Sequence, residues 1–210
     1  MSSDIIGRLI TIEGCEGVGK STQIALLKAY CEDRGIDAVF TREPGGTAIA
    51  ERIRDIILHK DSNINLMTEL LLYNAARVEH IDKVIIPALL KGKTVFCDRF
   101  IDSTMAYQGY GRGIDLEIID TFNDVVLNGL RIDKTIFLDM SPREGFLRKG
   151  GADKEDRMDS ETMEFHERVY EGFLEIASLC GDRVTRIDAS GGVGEVFEMV
   201  LREVEGAIEN

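Results

Sequence analysis

The sequence is short of positive charge: 25 Lys and Arg residues face 38 Asp and Glu, for a formal net charge of −13. Surfaces that grip nucleic acid carry a basic excess that displaces counterions, so no nucleic-acid partner is expected, and any polyanionic ligand must be met by a local cluster of cations. Long apolar runs are missing as well, none approaching the roughly 20 residues that cross a bilayer, so no membrane partner is expected. Met1 to Arg8 contains Asp4 and no apolar core, which is unlike a secretory signal and makes the cytoplasm the expected location. The cysteines are few and scattered. Cys15, Cys31, Cys97 and Cys180 form no C-x-x-C pair and have no histidine at zinc-ligand spacing, which argues against a disulfide framework or a zinc knuckle and predicts reduced, packed thiols.

What is present is the composition of a globular protein, 210 residues with 44% hydrophobic and 30% charged side chains. Five short β-branched runs, Arg8 to Glu13, Asp37 to Arg42, Thr94 to Asp98, Lys134 to Met140 and Arg183 to Asp188, alternate with longer segments of helical period. That alternation predicts an α/β fold, a five-stranded parallel sheet flanked by helices. Helices are expected over Lys20 to Asp33, over Ala48 to Leu58 with Ile49, Ile53, Ile56 and Ile57 as its core stripe, and over Asp115 to Asn128 with Gly129 as the stop. A further stripe, Ile81, Val84, Ile85, Ala88 and Leu89, carries an expected kink at Pro87. Ser141-Pro142-Arg143-Glu144 starts another helix by a capping box, and helices from about Ser160 to Leu179 and Gly194 to Ile208 close the chain. With no repeat and no linker, residues 1–210 read as a single domain. Its charged, glycine-containing stretch at about 143–157 reads as a mobile lid.

Gly14-Cys15-Glu16-Gly17-Val18-Gly19-Lys20-Ser21 matches G-x-x-x-x-G-K-S, preceded by the Leu9 to Ile12 strand and followed by a helix from Thr22. In that setting backbone N–H groups of the loop and the positive end of the helix cradle phosphates. Gly14 through Thr22 are therefore the expected ATP-binding residues, with Lys20 reaching the β and γ phosphates and Ser21 ligating Mg²⁺. Two classes of protein use such a loop, small-molecule kinases and regulatory or motor NTPases. A guanine-reading N-K-x-D and a long apolar strand ending in Asp-Glu are both absent. A kinase needs a second anion site, and Arg42 and Arg99 follow two of the strands while Arg77 lies on a helix one turn after Tyr73.

Thr41-Arg42-Glu43-Pro44-Gly45-Gly46-Thr47, Glu69-Leu70-Leu71-Leu72-Tyr73 leading into Ala76-Arg77-Val78-Glu79-His80, and Asp98-Arg99-Phe100 with Ser103 and Ala106-Tyr107-Gln108-Gly109 resemble the thymidylate kinases over nearly the whole chain. The resemblance implies a P-loop nucleoside monophosphate kinase fold and transfer of the ATP γ-phosphoryl group to dTMP, giving dTDP. It implies that Tyr73 stacks on the base, where the family usually has phenylalanine, and that Arg77 hydrogen-bonds it. It places Arg42 and Arg99 on the acceptor phosphate, Ser103 and Gln108 in the base pocket, Tyr107 against the sugar, Glu16 on the 3′-hydroxyl and Asp98 beside Mg²⁺. Family members without an arginine inside the phosphate loop supply a catalytic cation from the lid. Here Arg148, then Arg157, are the expected donors, with Lys149 a third candidate. A homodimer is also implied. Another nucleoside monophosphate as acceptor, or a regulatory NTPase, stays open as an alternative.

Overall fold

Parallel strands cannot be joined by tight turns, so each must be followed by a crossover, and the helices that supply the crossovers end up covering both faces of the sheet. The computed structural model describes residues 5–149 and 157–209. Its strands are β1 (Arg8–Glu13), β2 (Ala38–Arg42), β3 (Thr94–Asp98), β4 (Lys134–Asp139) and β5 (Val184–Asp188), all parallel in the order β2-β3-β1-β4-β5. The expected five-stranded parallel sheet is the observed one. Leu9, Ile10 and Ile12 of the central β1 are essentially unexposed. One core joins β1 and β4 to α1 (Lys20–Arg34), α8 (Met163–Leu179) and α9 (Val193–Glu209). The other joins β1 and β3 to a π-helical turn (Ile81–Ile85), α4 (Ile86–Leu89) and α6 (Leu116–Leu127). The remaining helices are α2 (Ala48–Leu58), α3 (Leu66–His80), α5 (Ile101–Thr104), which runs into a second π-helical segment (Met105–Gly111), and α7 (Pro142–Arg148).

Several local expectations need correction. In α2, Ile57 is buried with Ala50, but Ile49 and Ile56 are half exposed, because the helix packs on α3 along one edge and leaves the rest of its apolar stripe uncovered. Likewise Ile119 and Val126 of α6 face the core while Ile118 and Val125 face outward. Asn128, not Gly129, is the left-handed cap of α6, with φ 44°, and Gly129 follows it. The disruption expected at Pro87 begins one turn earlier, in the π-helical turn. Pro87 itself falls in the first turn of α4, where its missing N–H is no loss. Of the segment read as a lid, 143–148 lies in α7 and residues 150–156 are outside the described residues.

The direction of winding reverses at β1: β3 and β2 lie on one side, β4 and β5 on the other. Ligand crevices form at the carboxyl ends of strands at such a point. The helix that begins there is left open. Whereas Thr47, Asn65, Asp115, Ser141 and Thr162 each cap their helix with a side chain, α1 starts after Gly19, which supplies none, so its first N–H groups point into the crevice.

A polar network ties α5 to the sheet. Arg183 donates to both carboxylate oxygens of Asp102, at 2.7 and 2.8 Å, and to Thr135 Oγ1 at 2.6 Å, while Thr135 pairs with Thr11 of β1 at 2.7 Å. Asp102 is buried, so removing its partner leaves an uncompensated charge in the interior. Arg183→Met is expected to lower unfolding stability in urea by about 3 kcal/mol, with part of the loss restored in the Asp102→Asn, Arg183→Met double variant. A single variant as stable as the parent would show that the network carries no weight.

Candidate active site

A cleft of about 790 Å³ opens at the carboxyl ends of β1, β2 and β3 and is lined by residues 16–22 of the phosphate loop, by Arg42, Tyr73, Arg77, Asp98, Arg99, Ser103, Tyr107 and Gln108, and by Arg148 and Lys149. All the expected binding residues but Gly14, Cys15 and Arg157 line it. Gly14 and Cys15 lie under its floor, where burial pushes the Cys15 thiol up to about 12. Their carbonyls accept from Lys20 Nζ at 3.0 and 2.7 Å, holding the ammonium at the loop mouth. The loop is packed backbone to backbone against α7. A Cβ on Gly145 would sit 2.2 Å from the Glu16 carbonyl oxygen, and one on Gly17 would sit 2.0 Å from that of Gly145. Gly17 also has φ +74°, open to glycine at little cost.

Arg99 occupies the centre. Its backbone is left-handed, φ 66°, which is uncommon for a side chain of this kind and aims the guanidinium back over the phosphate loop. Nη2 is paired with Glu16 Oε1, Nη1 donates to Gly14 O at 3.0 Å and Ser103 Oγ at 3.3 Å, and the guanidinium lies 5.1 Å from the Tyr107 ring centre. Tyr107 OH donates to Glu16 at 3.3 Å. Burial opposes ionisation of Glu16, but Arg99 and Lys20 outweigh it and hold the carboxyl down at about 2.

At the other end of the cleft Arg77 is 2% exposed. Nε donates to Glu43 Oε2 at 2.6 Å, and Nη2 donates to Phe100 O at 3.1 Å and Thr104 Oγ1 at 2.9 Å, which leaves Nη1 as a buried donor with no partner among the described residues. His80, behind it, pairs with Glu43 through Nδ1 at 2.9 Å and with Thr41 through Nε2 at 2.7 Å. Gln108 is fixed by Nε2 donating to Glu69 at 2.9 Å. Asp98 Oδ1, of another residue lining the cleft, is likewise buried without a partner among the described residues.

The comparisons with known proteins agree with one another. A sequence profile described as thymidylate kinase matches residues 12–200. The chain belongs to the thymidylate kinase family. It is 47% identical over 206 residues to a thymidylate kinase from Pelobacter propionicus, covering 95% of this chain and 94% of that one. A second, from a Synechococcus strain, is 50% identical over 196 residues, with 93% and 94% covered. The crystal structure of thymidylate kinase from Ehrlichia chaffeensis superposes with a TM-score of 0.78 at 38% identity, covering 95% of this chain and 98% of that one.

Among the cations expected to serve this kinase from the lid, the structure separates three places. Arg148 donates to the carbonyls of Ala189 at 2.8 Å, Ser190 at 2.7 Å and Gly191 at 3.3 Å, in the loop after β5. Lys149 pairs with Asp159 at 3.0 Å and adds to the field that keeps Glu16 ionised. Arg157 does not reach the cleft. It is paired with Glu69, donates to Ile57 O at 2.8 Å, and so serves a buried carboxylate that would otherwise stand undercompensated. Arg42 sits at the rim, 55% exposed and bonded to Glu51 at 3.0 Å.

Sequence reasoning passed over three buried carboxylates, Glu13, Glu43 and Glu69, that hold the functional side chains in place. Their only signal was position: Glu13 ends an otherwise apolar strand, and Glu43 and Glu69 lie inside the family motifs.

Because the loop and α7 touch through backbone, Gly145→Ala must displace one of them. The KM for ATP is expected to rise roughly tenfold or more, and the melting temperature to fall by a few degrees, on the order of what overpacking costs. A variant with unchanged KM for ATP would mean that α7 does not set the loop.

Proposed function

We propose that Arg99, Arg77 and the phosphate loop align dTMP and ATP in one cleft so that the γ-phosphoryl group of ATP passes to the 5′-phosphate of dTMP, giving dTDP. The observation that carries the reading is the convergence of Arg42, Arg77 and Arg99 on the cleft that the phosphate loop opens into, which gathers cations for a second anionic ligand beside the ATP phosphates. Tyr73 presents a π-face for the base, Gln108 lines the same end, and Tyr107 with Glu16 meets the sugar. Arg42 and Arg99 take the acceptor phosphate. The ATP phosphates lie on residues 14–22, with its nucleoside on the β5 side between Arg148 and Val193 to Val196, since β2 and β3 carry the acceptor groups.

The acceptor oxygen is already anionic, so no residue is needed as a general base. The protein's part is alignment and neutralisation of charge on the oxygens of the group in flight, by Lys20, Arg99 and, from the end of α7, Arg148 with Lys149. Asp98 Oδ1 and Ser21 fit a Mg²⁺ site, because a buried carboxylate oxygen without a partner suits a hard cation or its water shell. Held there, that ion would act as a Lewis acid that draws off charge from the ATP phosphates.

A homodimer belongs to this reading, supported by the exposed Ile49, Ile56, Leu71, Val78, Ile118 and Val125 of α2, α3 and α6. One domain and a cytoplasmic setting complete it, the latter supported by four free cysteines.

The test is the acceptor profile of the purified enzyme with Mg²⁺ and ATP. The kcat/KM for dTMP is expected to exceed that for the uridine and guanosine monophosphates by at least tenfold, and to fall in Arg77→Met by about 10²-fold or more. Equal or better use of another monophosphate would overturn the assignment of the pocket. ATP hydrolysis that no monophosphate redirects into diphosphate would favour a regulatory NTPase.

A further inference from the structure

Glu13 is fully buried at the end of β1, directly before the phosphate loop, yet it does not line the cleft. Its oxygens are aimed sideways, at the segment that follows β3. Oε1 accepts from Phe100 N at 2.7 Å and from Ser103 N at 3.4 Å, and Oε2 accepts from Ser103 Oγ at 2.6 Å. Both residues follow Arg99 closely in the chain and bear on its placement. Phe100 N is the amide next to the left-handed Arg99, and Ser103 Oγ, having given its hydrogen to Glu13, turns a lone pair to Arg99 Nη1. We propose that Glu13 is a positioning residue for the acceptor phosphate: its carboxylate fixes both the backbone and the hydroxyl that hold the Arg99 guanidinium ready. The inference rests on the assignment of Arg99 to that phosphate.

The geometry gives Glu13 two states with different consequences. As a carboxylate it only accepts, so the Ser103 hydroxyl hydrogen must point to Glu13 and away from Arg99. As a neutral acid its own O–H donates to Ser103 Oγ, which turns the serine hydrogen toward the guanidinium and weakens that contact. The two states exchange near neutrality. Burial and then the charge of Asp102 push the Glu13 carboxyl up to about 7, against the hydrogen bond from Ser103, the charge of Arg99 and the amide of Phe100. The other titratable group facing it is Cys97 of β3, and Asp102 is itself neutralised by Arg183. The raised value belongs to the neutral acid being favoured. Ionisation is therefore completed as pH rises through 7, and the Ser103 contact to Arg99 weakens as pH falls below it.

The experiment measures KM for dTMP and for ATP in the parent, Glu13→Gln and Arg99→Ala from pH 6 to 8.5. The amide of Glu13→Gln donates to Ser103 as the neutral acid does. At pH 8 the variant should raise KM for dTMP by about tenfold, the scale of a lost hydrogen bond to a charged group, and KM for ATP by less than twofold. The ratio of the two enzymes' KM for dTMP, in which ionisation of the substrate cancels, should fall toward one at pH 6. A ratio near one at pH 8, a ratio that does not change with pH, or equal rises in both KM values would overturn the proposal. Should Arg99→Ala leave KM for dTMP unchanged, the acceptor-site reading itself fails. A measurement on the parent enzyme needs no variant: inorganic sulfate, which keeps its charge over this range, should compete with dTMP more weakly at pH 6 than at pH 8. A constant inhibition constant would contradict the role of Glu13 even if Glu13→Gln does not fold.

Discussion

The pairing of Arg99 with Glu16 spans the gap between the ends of β3 and β1 and ties the phosphate loop to the segment that follows β3. An arginine free in solution carries about 2 kcal/mol of side-chain entropy that a ligand must remove on binding. Here the backbone already holds a left-handed turn and the guanidinium already meets Glu16, Gly14 O and Ser103. The same guanidinium holds Glu16 ionised, so the phosphate loop presents a carboxylate acceptor at the cleft. One contact thus orders two ligand-facing groups.

The protein's negative charge gives this arrangement its logic. With an excess of acidic residues over the whole chain, anionic substrates can be received only where cations are concentrated and locally compensated. Each functional cation is accordingly bound to an acceptor behind it: Arg99 to Glu16, Arg77 to Glu43, and Lys20 to two loop carbonyls. Compensation from behind keeps the cations ordered at the cleft. Arg77 shows this most plainly, since three hydrogen bonds to Glu43, Phe100 and Thr104 fix its guanidinium. Donors fixed before the substrates arrive need little reorganisation at the moment of transfer.

The sheet and the phosphate loop were legible in the sequence because both rest on local rules. Short continuous β-branched runs and 3.6-residue periods report strand and helix, and the glycine spacing of 14–19 reports a backbone shape. The strand-end arginines were legible for the same reason: a strand end in a parallel sheet is a place as well as a sequence position. What escaped were the partners. A buried glutamate such as Glu69 looks, in one dimension, like any helix-surface charge, and only the fold brings Gln108, Arg112 and Arg157 onto it. That is also why Arg157 looked like a lid cation. The apolar stripes misled in the opposite direction, for Ile49, Ile56, Ile118 and Val125 keep helical spacing yet face outward, where the packing of α2 and α6 within this chain ends. The π-helical stretch from Met105 to Gly111 had no signature in a run that alternates small and aromatic residues.

The central claim is that a single cleft binds both nucleotides with their phosphates meeting at Arg99. One ligand tests it, in which a pentaphosphate joins adenosine and thymidine through their 5′ oxygens. Binding should be one per chain by titration calorimetry, competitive with ATP and with dTMP alike, and weakened by Lys20→Ala and by Arg99→Ala. Competition with only one of the two substrates, or binding indifferent to Arg99, would contradict the account.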